Sequence, residues 1–336
     1  MEPQCEGRAH NEGNPFPEAL LSVVVPCYNE ADSLPFFADE FARVVGEMRK
    51  RHNLSFELVL VDDGSSDATL DVIKELAKRD EGFSVSWISF SRNFGKEAAL
   101  YAGLKRARGF YVATMDADMQ DPPSLLPLMY ELLVEKDCDN VAARRDSRKG
   151  EPPIRSFFSR LFYRLMHKMS KVDIPDGARD FRLMKRPMVN AVLSMGERNR
   201  FSKGVFGWVG FKTEWLSYDN AERVAGKTKW SFLSLLAYSI EGMVAFSTVP
   251  LSIASVAGVV MFVLAVLWGV YIVVKTLLFG DPVAGWPSLA CAILFVGGIQ
   301  LLCLGIMGQY LAKVYLEVKD RPLYVVREVS DEQGLR

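Results

Sequence analysis

Two long stretches without a charged residue, close to the carboxyl end, constrain the fold of this chain most. None of residues 251–274 is charged, and none of residues 282–312. Each stretch is longer than the ~20 residues with which an α-helix crosses a hydrocarbon core about 30 Å thick. The alternative is a buried helix pair in a soluble protein, which two such runs in succession disfavour. The sequence therefore predicts a two-helix transmembrane hairpin at residues 250–312.

Basic residues lie before the first predicted span and after the second. The flanking ones are Lys227, Lys229, Lys313, Lys319, Arg321 and Arg327. The positive-inside rule then places both termini in the cytoplasm. Residues 1–20 form a polar leader without the apolar core of a signal peptide, which agrees with that orientation. We expect a multi-pass protein of the inner (cytoplasmic) membrane whose large amino-terminal domain lies in the cytoplasm.

The average composition hides this division but excludes several classes of protein. The chain has 40 basic and 41 acidic side chains and is 49% hydrophobic, unlike a disordered chain or a basic nucleic-acid binder. Its five cysteines form no C-x-x-C pair, and none has a histidine at the spacing of a zinc site. Reduced thiols and no structural metal are expected.

The first part of the chain alternates short apolar runs with amphipathic segments. Strands are predicted at 21–26, 56–61, 85–89 and 111–115, and helices at 33–51, 67–79, 96–108 and 124–136. Apolar strands separated by helices of this length indicate a mostly parallel, Rossmann-like sheet with helices on both faces. Ligands bind such α/β sheets beyond the carboxyl ends of the strands. A functional site is therefore expected at the carboxyl ends of these strands.

The residues that follow the first two strands are polar. The first strand is followed by Tyr28-Asn29-Glu30, without the glycine-rich loop of dinucleotide-binding enzymes, which disfavours a dehydrogenase. The second ends in Asp62 and Asp63, whose carboxylates are suited to accept hydrogen bonds from a ribose or a base.

A D-x-D motif with a following glutamine comes after the fourth strand. In an extended segment residues two apart point the same way, so Asp116, Asp118 and Gln120 are predicted to converge. Their hard oxygen donors suit Mg²⁺ or Mn²⁺. A solvated loop is the common alternative for an isolated D-x-D motif, but its position after a buried strand favours a metal site.

Four segments occur in an order that resembles a known family. They are VVVPCYNE, VDDGSSD, SRNFGKEAAL and MDADMQDPP. Together they resemble the family 2 glycosyltransferases of the GT-A fold, most of all the polyprenyl-phosphate enzymes such as bactoprenol glucosyl transferase and dolichyl-phosphate mannose synthase. The resemblance covers about residues 21–324. It implies nucleotide-sugar contacts from Pro26, Tyr28, Glu30, Val61, Asp63, Lys96, Asp116 and Ala117, and a catalytic role for Asp118 at the metal.

The middle of the chain carries the residues that the resemblance assigns to phosphate groups and to the acceptor. These are Arg144, Arg182, Arg223 and Lys229 for phosphates, and Asp180 as the catalytic base. A salt bridge of Asp180 with Arg179 or Arg182 is an equal alternative, because a phosphate monoester with a second pKa near ~6 is already an anionic nucleophile. The basic stretch 142–164 predicts a helix on the membrane surface, with a solvated helix face as the alternative.

These observations predict five regions. They are a polar leader (1–20), a GT-A domain (21–229), an interfacial helix (230–249), the hairpin (250–312) and a cytoplasmic tail (313–336), whose residues 321–329 are a candidate intersubunit strand. By the resemblance, the chain is an inverting, metal-dependent enzyme that transfers one sugar to polyprenyl (undecaprenyl) phosphate, and it forms a tetramer.

The motifs do not determine which sugar and which nucleotide the donor contains. UDP-glucose is the favoured donor, with GDP-mannose and UDP-modified arabinose as alternatives. A membrane-anchored binding or scaffold protein without catalysis is a further alternative, which the intact motifs disfavour. A channel or flippase component is disfavoured because neither span contains a charged residue.

The metal assignment yields a first prediction. Replacing Asp118→Asn removes a carboxylate charge from the motif and is expected to abolish sugar transfer while leaving membrane insertion intact. Transfer assays and membrane fractionation of the variant measure the two properties. Normal turnover by this variant would contradict the metal assignment.

Overall fold

The computed structural model describes residues 19–145, 178–198, 200–218, 249–279 and 285–330. All of the predicted polar leader except residues 19 and 20 lies outside the described residues. So do Arg223, Lys229 and nearly all of the two segments predicted to lie on the membrane surface.

The described residues form eight strands and eight α-helices. The strands are β1 (Leu20–Cys27), β2 (Ser55–Asp62), β3 (Ser84–Phe90), β4 (Tyr111–Thr114), β5 (Asn140–Arg145), β6 (Ala178–Lys185), β7 (Thr213–Tyr218) and β8 (Val326–Val329). The helices are α1 (Leu34–Arg51), α2 (Thr69–Leu76), α3 (Lys96–Arg106), α4 (Leu126–Glu135), α5 (Arg186–Ser194), α6 (Ser202–Trp208), α7 (Val249–Phe279) and α8 (Trp286–Val318).

All eight strands belong to one sheet, in the order β7-β5-β6-β4-β1-β2-β3-β8. The four central strands β4, β1, β2 and β3 are parallel, and β5 is parallel to β7. β6 runs antiparallel to both β4 and β5, and β8 antiparallel to β3. The α/β fold class with a mostly parallel sheet is confirmed.

Alternate side chains of the central strands fill two apolar layers. Val23 and Val25 of β1 face one layer, with α1, α2 and α4, whereas Val24 faces the other, with α3, α5 and α6. Because successive side chains of a strand point to opposite faces, a continuous apolar run is buried on both sides. This burial on two faces makes the sheet a rigid support for residues beyond its edge.

Three predicted helices differ from the observed ones at their ends. α2 begins at Thr69 rather than after Ser66 or Asp67, because the Asp67 carboxylate closes a turn by accepting a hydrogen bond from Thr69 N at 3.0 Å. The helix predicted from residue 124 begins with a short 3₁₀ turn, Pro123–Leu125. The basic helix predicted from residue 142 is wrong at its start, since residues 142–145 pair as part of β5 with β6 and β7.

The two long carboxyl-terminal helices, α7 and α8, pack against each other. Both are long and apolar enough to cross a membrane, over Leu251–Tyr271 and Phe295–Val318. Large apolar side chains on both are exposed, including Leu267 and Leu301. α8 extends six residues beyond residue 312, the predicted end of the hairpin.

The segment after α8 returns to the sheet. β8 pairs antiparallel with β3 of the same chain, with Ile88 opposite Val329. The ring of Tyr324 stacks on that of Phe90, with ring centroids 4.7 Å apart. The sequence made residues 321–329 a candidate strand for pairing with a neighbouring subunit, and that pairing stays a prediction. Within one chain, Val326–Val329 pairs with β3, the edge of its own sheet.

A close approach of α3 to the sheet provides a stability test. A Cβ atom on Gly103 would lie 2.2 Å from Val24 Cγ1, whereas one on Gly46 of α1 would meet nothing within 4 Å. Gly103→Ala is expected to lower the free energy of unfolding by about 1–2 kcal/mol through overpacking. Gly46→Ala is the matched control and is expected to raise it by about 0.5–1 kcal/mol. Thermal unfolding in detergent measures both, and equal shifts would contradict the packing.

Candidate active site

Two strands of opposite direction bring two of the predicted site residues to one edge of the sheet. Asp116 follows the carboxyl end of β4, and Asp180 lies near the beginning of β6. Because β6 is antiparallel to β4, with Thr114 opposite Arg182, the end of one strand meets the start of the other. Thr114 Oγ1 donates a hydrogen bond to the carbonyl oxygen of Asp180 at 2.5 Å. The two carboxylates therefore lie close together.

The ammonium group of Lys96 joins these two carboxylates. Lys96 Nζ lies 2.6 Å from Asp116 Oδ1 and 2.7 Å from Asp180 Oδ2. Lys96 is the first residue of α3 and follows Gly95, whose φ of +98° is a conformation that glycine adopts readily. The sharp turn at Gly95 sets the direction in which α3 begins, with Lys96 at its first position.

The three charges shift one another's pKa values. Burial alone would lower the pKa of Lys96, but the carboxylates of Asp116 and Asp180 raise it above its usual value. Burial opposes ionisation of Asp180, yet the charges of Lys96 and then Lys203 hold its pKa below the usual range. Burial also raises the pKa of Asp116, against the effect of Lys96. Lys96 is therefore protonated and Asp180 ionised. Neither arginine considered as a partner of Asp180, Arg179 or Arg182, takes this position.

The D-x-D segment is a turn and not an extended strand. Met119 has a φ of +61°, and Asp118 Oδ1 accepts a hydrogen bond from Gln120 N at 3.1 Å. The expectation that all three side chains point the same way is therefore wrong for Gln120, because a left-handed residue, Met119, reverses the chain between Asp118 and Gln120. Gln120 Oε1 instead accepts from Arg179 Nη2 at 3.4 Å.

The donor set still fits a divalent cation. Within the described ranges no three His, Cys, Asp or Glu side chains converge on one point. Asp116 and Asp118 would supply two carboxylates to such an ion, and Gln120 would supply the amide oxygen that accepts from Arg179 in this structure. Mg²⁺ is commonly held in this way, by one or two carboxylates together with substrate phosphates and water.

A buried ion pair, not anticipated from the sequence, holds this turn against β6 and β7. Arg179 Nε lies 3.0 Å from Asp121 Oδ1, and the Tyr218 hydroxyl donates to the same carboxylate. Asp121 is only 1% exposed. Removing one partner of such a pair leaves a buried charge uncompensated. Arg179 also contacts Gln120, so this cluster positions the predicted metal-binding turn.

The residues that the resemblance assigns to the nucleoside differ in accessibility. Tyr28 is 38% exposed and Pro26 is half-buried. The side chains of Val61 and Ala117 are buried in the two apolar layers. Contacts from these two residues to a donor are therefore restricted to their main chain.

The acidic residues at the ends of β1 and β2 mainly organise loops. Asp63 Oδ1 accepts from Phe94 N at 2.7 Å, and Oδ2 accepts from Gly95 N at 2.9 Å. Burial raises the pKa of Asp63 to about 6, although these two N–H groups oppose the shift. The Glu30 carboxylate accepts a hydrogen bond from Ser33 Oγ. Asp63 thus supports the loop that leads into Lys96.

Asp62 lies outside the site that we expected it to join. It is 2% exposed, and its carboxylate accepts from Ser89 Oγ at 2.7 Å and from Ser65 N at 3.0 Å. The first bond joins β2 to β3, and the second holds the loop that follows β2. Its carboxylate is therefore directed to these internal partners and not to a ribose or a base.

The described arginines assigned to phosphates occupy different positions. Arg182 is 3% exposed, its Cζ lies 4.0 Å from the ring centroid of Phe206, and burial lowers its pKa to about 10. Phosphate contact is difficult for a guanidinium buried in this way. Arg144 is half-buried on β5, at the same edge of the sheet, where it pairs with Ala178.

Comparison with known proteins identifies the family. A model of the family described as "Glycosyl transferase family 2" matches residues 22–193. A bactoprenol glucosyl transferase of Shigella phage SfII is 39% identical over 308 residues, 92% of this chain and 97% of that protein. The chain belongs to glycosyl transferase family 2.

Two further relatives agree. A prophage bactoprenol glucosyl transferase homolog of Escherichia coli is 39% identical over 310 residues, 92% of this chain and 99% of that protein. An uncharacterized glycosyltransferase of Synechocystis sp. is 40% identical over 315 residues, 94% of this chain and 96% of that protein. The family resemblance drawn from the four segments is confirmed, and the chain is a glycosyltransferase.

The charge cluster yields a prediction. Lys96→Met leaves Asp116 and Asp180 without their shared counter-charge. We expect the free energy of unfolding to fall by about 1–2 kcal/mol, between the values for exposed and buried pairs. Adding Asp180→Asn to this variant should recover part of the loss, because the repulsion is relieved.

Thermal unfolding measures these variants against Lys105→Met, which removes an exposed lysine at the other end of α3. This control is expected to remain within about 0.5 kcal/mol of the parent. If Lys96→Met behaved like the control, the cluster would not stabilise the site.

Proposed function

We propose that this family 2 glycosyltransferase transfers one sugar from a nucleotide-sugar to polyprenyl phosphate at the cytoplasmic face of a membrane. The observation that carries the proposal is the 39% identity with a bactoprenol glucosyl transferase over 92% of the chain. The two apolar helices support it, because a polyprenyl acceptor is confined to the bilayer. The products are a polyprenyl-phosphate sugar, β-linked after inversion, and a nucleoside diphosphate.

The donor occupies the edge formed by the ends of β1, β2 and β4. Tyr28, with its exposed ring, and Pro26 contact the nucleoside, and Val61 and Ala117 contribute main-chain groups. Asp63 and Glu30 act through the loops that they support. UDP-glucose is our first choice of donor.

The diphosphate lies at the D-x-D turn. Asp116, Asp118 and Gln120 hold the Mg²⁺ or Mn²⁺ ion, with Asp118 as the catalytic carboxylate. A bound divalent cation would neutralise charge that develops on the departing diphosphate. Arg179, through Asp121 and Gln120, keeps the turn in position.

The acceptor phosphate approaches from the side of β6. A phosphate monoester with a second pKa near ~6 is largely dianionic at neutral pH and needs no strong base. Asp180 therefore orients Lys96, which it contacts at 2.7 Å, rather than removing a proton. Arg144, Arg223 and Lys229 hold phosphate groups, and the charges of Arg182 and Asp180 interact favourably.

The chain is associated with the membrane through α7 and α8. We propose that both helices span the bilayer and that both termini lie in the cytoplasm, as the distribution of basic residues favours. Assembly into a tetramer remains a prediction. The unpaired outer edge of β8, at the end of the described sheet, is where a second copy could add a strand.

A donor panel tests the proposed function. Purified protein is incubated with undecaprenyl phosphate, Mg²⁺ or Mn²⁺, and each of several UDP- and GDP-sugars. We expect a labelled lipid-phosphate sugar with one donor, UDP-glucose first, and its loss on chelation of the metal. Asp118→Asn serves as the inactive control. Absence of lipid-linked product with every donor would overturn the proposal.

A further inference from the structure

The chain between β6 and β7 connects the end of α8 with the charge cluster. Residues 195–198 and 200–208, called here the connecting segment, include α6. At one end, Arg198 N donates to Glu317 Oε1 at 2.8 Å, and Arg198 Nη2 lies 2.5 Å from Asp320 Oδ1. Glu317 is the second-last residue of α8. The connecting segment therefore begins where the second candidate span ends.

The other end of the connecting segment is attached to the helix that carries Lys96. Ser202 N donates to Glu97 Oε2 at 3.0 Å, and the Ser202 hydroxyl donates to the same oxygen. Burial raises the pKa of Glu97, and the bonds from Ser202 oppose that shift. Because Glu97 adjoins Lys96 on α3, these bonds set the position of α6 relative to the charge cluster.

Its spacing from Phe206 places Lys203 on the face of α6 that is turned toward β6 and Asp180. Phe206, three residues later on the same helix face, packs over the guanidinium of Arg182. Arg182 and Asp180 are two residues apart on β6 and therefore point to the same side of the sheet. The charge of Lys203 also acts on Asp180, where it is the largest favourable influence after that of Lys96.

The ammonium group of Lys203 has no hydrogen-bond or ion-pair partner among the residues that the structure describes. The residue is half-buried. Lys96, by contrast, is committed to two carboxylates. A lysine ammonium carries three donors and binds phosphate as a point charge. A half-buried lysine without a partner among the described residues, whose charge acts on Asp180, is therefore available to an anion.

We propose that Lys203 binds the phosphate of the lipid acceptor. The inference deepens the proposed function and rests on it. The connecting segment lies between the end of a candidate membrane span and the Asp116–Lys96–Asp180 cluster, which is the path that a phosphate on a membrane-bound lipid would take. The donor diphosphate lies on the other side, at the D-x-D turn. Lys203 thus holds the nucleophile beside Asp180 and Lys96.

The test compares Lys203→Met with Lys203→Arg and with the control Lys105→Met. Full-length protein is placed in phosphatidylcholine nanodiscs containing different amounts of undecaprenyl phosphate. We expect Lys203→Met to raise the KM for undecaprenyl phosphate about 10-fold to 100-fold, the loss typical of one charged hydrogen bond. Lys203→Arg should recover most of this loss. The affinity for UDP, measured by calorimetry, should remain unchanged and shows that the variant is folded.

A second measurement uses undecaprenol, which lacks the phosphate, as a competitor. The preference of the parent protein for undecaprenyl phosphate over undecaprenol should shrink in Lys203→Met by the same factor as the KM rises. Equal preference in both proteins would overturn the inference.

Other outcomes would also overturn it. A weaker affinity for UDP with an unchanged acceptor KM would assign Lys203 to the donor diphosphate. Reduced sedimentation of Lys203→Met with vesicles that contain phospholipid but no acceptor would assign it to lipid headgroups. If the parent protein transferred no sugar at all, the proposed function would fail. If the parent were active and Lys203→Met equally so, only the Lys203 inference would fail.

Discussion

The ammonium of Lys96 between the carboxylates of Asp116 and Asp180 is the interaction on which the site depends. Two carboxylates a few ångströms apart repel each other, and this repulsion is stronger where water is partly excluded. One shared cation allows both strand ends to approach. The contacts also unite three elements, because Lys96 begins α3, Asp116 follows β4 and Asp180 belongs to β6.

The supporting contacts on either side have a common arrangement. Toward the proposed donor site, Asp63 fixes the loop before Lys96, and Arg179 with Asp121 fixes the D-x-D turn. Toward the proposed acceptor site, Glu97 fixes the beginning of α6. In each case a carboxylate that is partly or fully buried holds a main-chain or guanidinium donor. Such bonds restrict the side chains that face substrate, which is how preorganised sites lower a barrier.

Much of the fold was predictable because burial leaves a periodic trace in the sequence. Continuous apolar runs marked β1 and β2, and uncharged runs marked α7 and α8. The turn after β4 was not predictable in this way. Met119 has a left-handed conformation, which the sequence does not reveal at a residue other than glycine. Because the chain reverses there, the assumption of an extended strand gave the wrong direction for the Gln120 side chain.

The sequence by itself determined the alternation of strands and helices, the two candidate spans and the family, since these follow from local patterns and ordered motifs. Only the tertiary structure decided the partners of the charges. Lys96 and Asp180 are 84 residues apart, and Asp121 and Tyr218 are 97 apart. Arg179 and Arg182 are nearer to Asp180 along the chain, yet β6 directs them to Asp121 and Phe206. The physical reason is that a charge pairs with what the fold brings within a few ångströms, and that distance is set by sheet topology, not by separation in sequence.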